Sequence, residues 1–171
     1  YDTASRTFVD FLEEFPDSKR KDDALFYAGS SYYNYEDYDK ALFYFRSLIK
    51  ESKDEEFVKV ALYEINWCHY RKGDIDEAIK GFKRFLNIYP RTNLSAQILF
   101  WFGEYYYNEG DYVRAEGYFM EIQNTYPYSE MTDDASYWHA STIYKRGDRP
   151  GALAKLNEIW LKHPDSELVA K

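Results

Sequence analysis

Apolar residues recur at helical spacing along this chain, in pairs of stripes parted by short polar breaks. Ala24, Leu25, Ala28, Gly29 and Tyr32 line one face of a helix expected from about Lys21 to Asn34. Ala41, Phe45 and Leu48 line a second helix that starts after Asp37. The pair returns as Ala61, Leu62, Ile65, Asn66 and His69, then Ala78, Phe82 and Phe85. It returns again as Ile98, Leu99, Phe102, Gly103 and Tyr106, then Ala115, Phe119 and Ile122, and last as Ala135, Ser136, His139, Ala140 and Ile143, then Ala152, Leu156 and Ile159. Ahead of these pairs Ala4, Phe8, Phe11 and Leu12 make a lone stripe that ends at Phe15-Pro16, because proline cannot continue a helix interior. The pattern predicts an all-α protein.

The stripes keep a fixed period. Ala41, Ala78, Ala115 and Ala152 are each 37 residues apart, and each is preceded by a related hinge: Tyr35-Glu36-Asp37, Lys72-Gly73-Asp74, Glu109-Gly110-Asp111 and Arg146-Gly147-Asp148. A repeat of this length means an array of helix–turn–helix units that bury a continuous seam. The units expected are a half repeat at 1–16 holding a second helix only, full repeats at 17–53, 54–90, 91–127 and 128–164, and the start of another at 165–171. Within a unit, the glycine turns the chain and the aspartate caps the next helix, with Asp74 and Glu77 spaced as a capping box. Gly29, Gly103 and Ala140 let the paired helices approach, and Asn66 predicts a wider pair in the second repeat. Tyr89-Pro90, Tyr126-Pro127 and His163-Pro164 close their units, whereas the first unit turns at Ser52-Lys53 without proline. Arg149-Pro150-Gly151 is the poorest hinge and predicts the least regular helix pair.

Composition narrows the function. Aromatic residues are 20% of the 171, with 19 tyrosines, too many rings for a disordered tail. Charge interrupts every apolar run, so no membrane span is expected. The net charge of −8 repels phosphate backbones, and Lys19-Arg20-Lys21 runs straight into Asp22-Asp23, so nucleic acid is not an expected partner. A single cysteine, Cys68, forms no internal disulfide. The chain opens partway through a unit and carries no signal peptide, which fits a segment of a longer protein.

The order Leu99, Phe102, Gly103, Tyr106, Ala115, Phe119, Pro127 resembles the tetratricopeptide repeat, and the resemblance runs through the whole chain. The extra residues over that family's usual period lie after the proline, as in Tyr126-Pro127-Tyr128-Ser129. This turn, with Tyr32-Tyr33, Tyr106-Tyr107 and the Gly-Asp hinge, is similar to the repeats of bacterial Tol-associated periplasmic proteins and outer-membrane assembly lipoproteins. The resemblance implies a right-handed α–α superhelix of about four helix pairs with the first helix of each unit on the inner wall. It also implies a bacterial periplasmic or cell-envelope setting. Pentatricopeptide arrays, which read RNA, are disfavoured by the acidic charge and the Gly-Asp hinge.

No catalytic constellation emerges, and neither a metal nor a cofactor is expected. His69 takes the place of a packing tyrosine and His139 of a packing leucine, while His163 stands in a turn. Cys68 shares its register with Ser31 and Thr142 and reads as a buried, inert thiol. Asp22-Asp23 and Asp133-Asp134 fall in first helical turns, where the helix dipole favours negative charge. Asn93-Leu94-Ser95 is a formal glycosylation acceptor of little weight.

The binding surface is the remaining question. In the repeat family, ligand contacts fall on fixed positions of the first helix. One such position holds Phe26, Tyr63, Phe100 and Tyr137, and another, seven residues on, holds Tyr33, Tyr70, Tyr107 and Tyr144. Two turns apart, the ladders share a face. Trp67 lies between them, where the other repeats have Ser30, Glu104 and Ser141. Either these rings line a groove for a peptide or protein segment, or they pack between repeats. The Lys and Asn needed for a carboxylate clamp are absent from these positions, although Asn34 and Asn108 remain for a peptide backbone. The leading expectation is a non-catalytic protein–protein interaction module. The alternatives are a spacer or self-assembling segment, favoured by Phe8, Phe11, Leu168 and Val169 at uncapped ends, and the recruiting arm of an enzyme whose catalytic domain lies elsewhere.

Overall fold

A computed structural model describes residues 2–162. Nine α-helices and no strands occur among the described residues. They are α1 (Asp2–Glu14), α2 (Lys21–Asn34), α3 (Tyr38–Glu51), α4 (Glu55–Lys72), α5 (Ile75–Ile88), α6 (Asn93–Asn108), α7 (Tyr112–Thr125), α8 (Met131–Lys145) and α9 (Arg149–Lys162). The fold is the expected all-α array of helix pairs. The turn at His163-Pro164 and the start of a further repeat at 165–171 lie outside the described residues.

Residues 1–89 and 90–171 form two compact units. In the first, α1 packs on α2, α2 pairs with α3, and α4 pairs with α5 while touching α2 and α3. Its core gathers Leu25, Ala41, Leu42, Phe45, Leu48, Ala61 and Cys68, all buried. In the second, α6 pairs with α7 and α8 with α9, and α8 also meets α6. Ile98, Leu99, Phe102, Ala115, Phe119 and Ile122 are buried there.

The hinges explain the chain reversals. Gly73, Gly110 and Gly147 hold φ of 87°, 77° and 96°, a left-handed conformation that costs glycine little. The first repeat makes the same turn with Glu36 at φ 64°. Asp37, Asp111 and Asp148 then cap α3, α7 and α9, accepting from the N–H of Lys40, Arg114 and Gly151 at 3.2, 3.0 and 2.9 Å. The capping box expected at Asp74 and Glu77 does not form. The Asp74 carboxylate turns to His69 Nδ1 at 3.4 Å, and Glu77 takes the Lys80 ammonium at 2.8 Å.

Where proline is missing, Ser52 makes the turn: its hydroxyl donates to Asp22 at 2.6 Å and accepts from the Asp54 N–H at 3.0 Å. The expected irregularity of the last pair is not observed in helix length or capping, since α9 has the 14 residues of α3, α5 and α7 and its cap is formed. Pro150 falls in the first turn, where its missing N–H costs no helical bond.

Candidate peptide-binding surface

In the first unit, three of the expected contact residues come together along one face of α4. Tyr63 meets Trp67 edge-on at 5.9 Å between ring centroids, and Trp67 meets Tyr70 at 5.7 Å. All three are half-buried. The chain of rings rests on α5 through Phe82, 5.0 Å from Trp67 and 6.4 Å from Tyr63. Burial raises the Tyr63 phenol above its ordinary range, while the Trp67 side chain, hydrogen-bonding to it, pulls the other way.

Phe26 and Tyr33 stand apart from that trio. Phe26 packs on Phe45 of α3 and Phe57 of α4 at 6.1 and 6.4 Å, and with Asp54, Glu56, Phe57 and Val60 it borders a hollow of about 180 Å³. Tyr33 leans edge-on against Tyr38 at 5.6 Å.

In the second unit, Tyr107, Tyr137 and Tyr144 line a single hollow of about 380 Å³. Ala140 and Ser141 form its floor with Ala152, Leu153 and Leu156, and Arg149 stands at the rim. Tyr144 is 53% exposed, with the Arg149 guanidinium 5.8 Å from its ring centre. Tyr107 is fixed by Tyr112 at 5.4 Å and by Trp138 at 5.0 Å. Phe100 does not join this hollow but leans on Phe119 at 5.8 Å. The residues of α9 escaped the sequence reading because it assigned contacts to first helices alone. The signal available was the apolar run Ala152-Leu153 and Leu156 on a helix with a weak core stripe.

Charge around these faces is acidic and partly dehydrated. Burial, and then the charge of Asp134, lift the Glu104 carboxyl above the usual carboxylate range. Glu64, next to Tyr63, is pushed by burial to about 7. Its register positions in the other repeats hold Tyr27, Trp101 and Trp138, so a carboxyl occupies a place otherwise taken by a ring.

Two of the residues weighed for chemistry are held inside the helix packing. His139 is buried, its Nδ1 3.1 Å from the Gln123 amide and its Nε2 3.6 Å from Glu116; burial lowers its pKa and keeps it neutral. Cys68 is fully buried and its thiol pushed to about 12. Its position is not confined to small residues, for the third repeat carries Tyr105 there, stacked on Trp101 at 5.4 Å. Among the described residues, no group of His, Cys, Asp and Glu is arranged to hold a metal, and no helix is long and apolar enough to cross a membrane.

The helix pairs and their hinges define a protein of the helical-repeat class. A family model for the tetratricopeptide repeat matches residues 23–54, 60–92 and 134–166, and the chain belongs to that family. The third repeat, whose landmarks were the fullest in the sequence, lies largely outside those matches, although its helices pair like the others. No curated protein sequence matches the chain.

Solved structures of similar fold include a tetratricopeptide repeat protein from Parabacteroides merdae, at 17% identity and a TM-score of 0.69, over 97% of this chain and 61% of that one. The chain thus spans less than two thirds of that protein. PilW, described as a type IV pilus biogenesis factor, aligns at 17% identity and a TM-score of 0.70, over 99% of this chain and 73% of its own. YrrB, described as a repeat protein with an unusual peptide-binding site, aligns at 19% identity and a TM-score of 0.63, over 99% and 82%.

Proposed function

We propose that the chain is a non-catalytic interaction module that binds a peptide or protein segment on the aromatic faces of its first helices. The observation that carries this reading is the hollow of the second unit. Three rings from two helices, Tyr107, Tyr137 and Tyr144, converge on one apolar recess with an exposed tyrosine and a guanidinium at its edge. Rings of this kind offer contact area at little cost in side-chain entropy, and their hydroxyls fix orientation. The Tyr63–Trp67–Tyr70 face of the first unit is the companion contact. Phe26, Tyr33 and Phe100 serve the packing that holds these faces in place. The description of YrrB speaks for what the fold can do. The setting in a larger bacterial cell-envelope protein rests on the Tyr-Pro-x-Ser turn and its resemblance alone.

Selection of binding peptides from a displayed random library tests the reading. Peptides selected on the wild-type chain are expected to lose at least tenfold in affinity on Tyr137→Ala/Tyr144→Ala or on Trp67→Ala, with helicity by circular dichroism unchanged. Equal affinity for all three proteins would overturn it.

A second reading is favoured by α9. Leu153, Leu156, Trp160 and Leu161 are 61%, 41%, 56% and 82% exposed, a concentration of apolar surface on one helix. That face supports self-association with a second copy. Light scattering that rises with concentration, and falls to the monomer value in Trp160→Glu, is the expected behaviour. A strictly monomeric wild type at high concentration removes this reading.

A further inference from the structure

The repeats differ at one place in a concerted way. In the first repeat Tyr32 stacks on Tyr44, with 5.5 Å between centroids and 3° between planes, and Lys40 lies over Tyr32 at 5.0 Å. The third repeat repeats the group as Tyr106 on Tyr118, at 5.6 Å and 5°, with Arg114 over Tyr106 at 4.0 Å. The second repeat carries His69, Gly81 and Glu77 at these three register positions. Both rings and the cation are gone together, and Asn66 replaces the glycine of Gly29 and Gly103 beside them.

What remains is a hollow of about 210 Å³ between α4 and α5. Leu62, Ile65, Phe85 and Ile88 form its apolar walls, Asn66 and His69 are its polar floor, and Glu77, Lys80 and Arg84 also line it. A cavity of about 150 Å³ is enough to take a benzene ring. Asn66 is 93% buried, being 7% exposed, and its Nδ2 donates to the Leu62 carbonyl at 2.9 Å. Its Oδ1 faces Gly81, where a Cβ would lie 1.8 Å away, and meets no donor among the described residues. The hollow therefore offers a slot of ring size with apolar walls, a charged rim and the Asn66 Oδ1 acceptor at its base. His69 is held by Asp74 at 3.4 Å and lines the same space.

We propose that this hollow receives a tyrosine side chain of a partner protein, which restores from outside the ring that Tyr44 and Tyr118 supply from within. The ring lies between Ile65 and His69, as the Tyr118 ring lies against Phe102 and Tyr106 at 5.0 and 5.6 Å in the third repeat. The phenol hydroxyl donates to Asn66 Oδ1. Exposed Ile88 and Arg84 leave the mouth open, so the side chain can enter from a backbone running along α5. At 3.6 residues per turn, Leu62, Ile65, Asn66 and His69 centre about a third of a turn from Tyr63, Trp67 and Tyr70 on α4, so this site lies beside the aromatic surface proposed above, with Phe85, 6.0 Å from Tyr63, behind both.

The test uses p-cresol and two capped tripeptides, acetyl-Gly-Tyr-Gly-amide and acetyl-Gly-Ala-Gly-amide, followed by the His69 ring protons and the Ile65 methyl groups in NMR titrations. Saturable shifts are expected with p-cresol and the tyrosine peptide at millimolar concentration, with mutual competition, and none with the alanine peptide. Asn66→Gly/His69→Tyr/Gly81→Tyr rebuilds the internal stack and is expected to lose the response of the Ile65 methyl group at least tenfold. Ile88→Ala, at an exposed wall, is expected to weaken it about threefold without loss of fold. Trp67→Ala is expected to leave it unchanged, which separates this site from the other surface. Three results would each overturn the proposal: no saturable shift with either ring, an undiminished response in the rebuilt variant, or binding of p-cresol without the tyrosine peptide.

Discussion

The Phe119 ring of α7 occupies the space that a side chain at Gly103 of α6 would need. A Cβ built on Gly103 would stand 2.4 Å from Phe119 Cε1, and one on Gly29 would stand 2.7 Å from the same atom of Phe45. Both rings are fully buried and enclosed. The glycine therefore does more than narrow the helix pair: it is the socket for a fully buried phenylalanine of the facing helix. Gly103→Ala and Gly29→Ala should each cost about 1–3 kcal/mol through overpacking. Gly117, also helical, has nothing within 4 Å of its would-be Cβ. Gly117→Ala should instead stabilise by about 0.5–1 kcal/mol from helix propensity. Urea unfolding of the variants checks both signs.

Glu36 is the odd member of the hinge series. It holds the left-handed backbone at φ 64° that Gly73, Gly110 and Gly147 adopt freely. An L-residue with a Cβ gives up about 1–2 kcal/mol there. Glycine recovers this, less what its more mobile unfolded chain costs. Glu36→Gly should raise stability by about 0.5–1 kcal/mol, and Gly73→Ala should lower it by about 1 kcal/mol. A fall in the thermal midpoint of Glu36→Gly would contradict the strain.

The helix pairs could be read from the chain because every landmark is stated several times over. The ends of α2 at Lys21 and Asn34 follow from a hinge that recurs with a fixed period, so one ambiguous copy is corrected by the others. Departures within one copy are harder to read. Gly81 matters only because Asn66 leans over it, a contact between helices that no local pattern announces. The capping box failed at Asp74 because His69 and Lys80, each on a neighbouring turn, attract the two carboxylates more than the backbone does. The aromatic ladders were legible as positions but not as depths. Whether Phe26 is a contact or a filler depends on Phe57 in the next repeat, and Tyr107 owes its orientation to Trp138.

Caps offer a direct comparison between copies. The Asp111 carboxylate accepts the Arg114 N–H at 3.0 Å, whereas the Asp74 side chain makes no bond to its own helix. Asp111→Ala should cost about 1 kcal/mol, the usual worth of an N-cap. Asp74→Ala should cost a few tenths only, from the lost contact with His69 and the helix dipole. The exposed pairing of Asp111 with Arg114 adds little to the first figure. Equal losses in matched denaturant titrations would mean that the two hinges are equivalent after all.

The seam between α2 and α4 should depend on pH through Glu64. Where the second unit seats Trp138 against Tyr107 at 5.0 Å, the first seats a carboxyl beside Tyr33 and Cys68. Those neighbours do not titrate near neutrality, since burial raises the Tyr33 phenol and drives the Cys68 thiol to about 12. Burial pushes Glu64 from 4.5 to about 7. An acid whose folded pKa is raised holds its proton more tightly in the folded state, so this group costs nothing below about pH 4.5. Its penalty grows as pH rises towards 7 and is complete above it. At about 1.4 kcal/mol per pH unit the limit is about 3 kcal/mol, and solvent reaching a half-buried group brings it to about 1–2 kcal/mol. Glu64→Gln keeps the shape and removes the charge. Its stability should equal that of the wild type at pH 4.5 and exceed it by about 1–2 kcal/mol at pH 8. A difference that stays flat between those values would show that the carboxyl is hydrated in the folded protein and that the seam is indifferent to its charge.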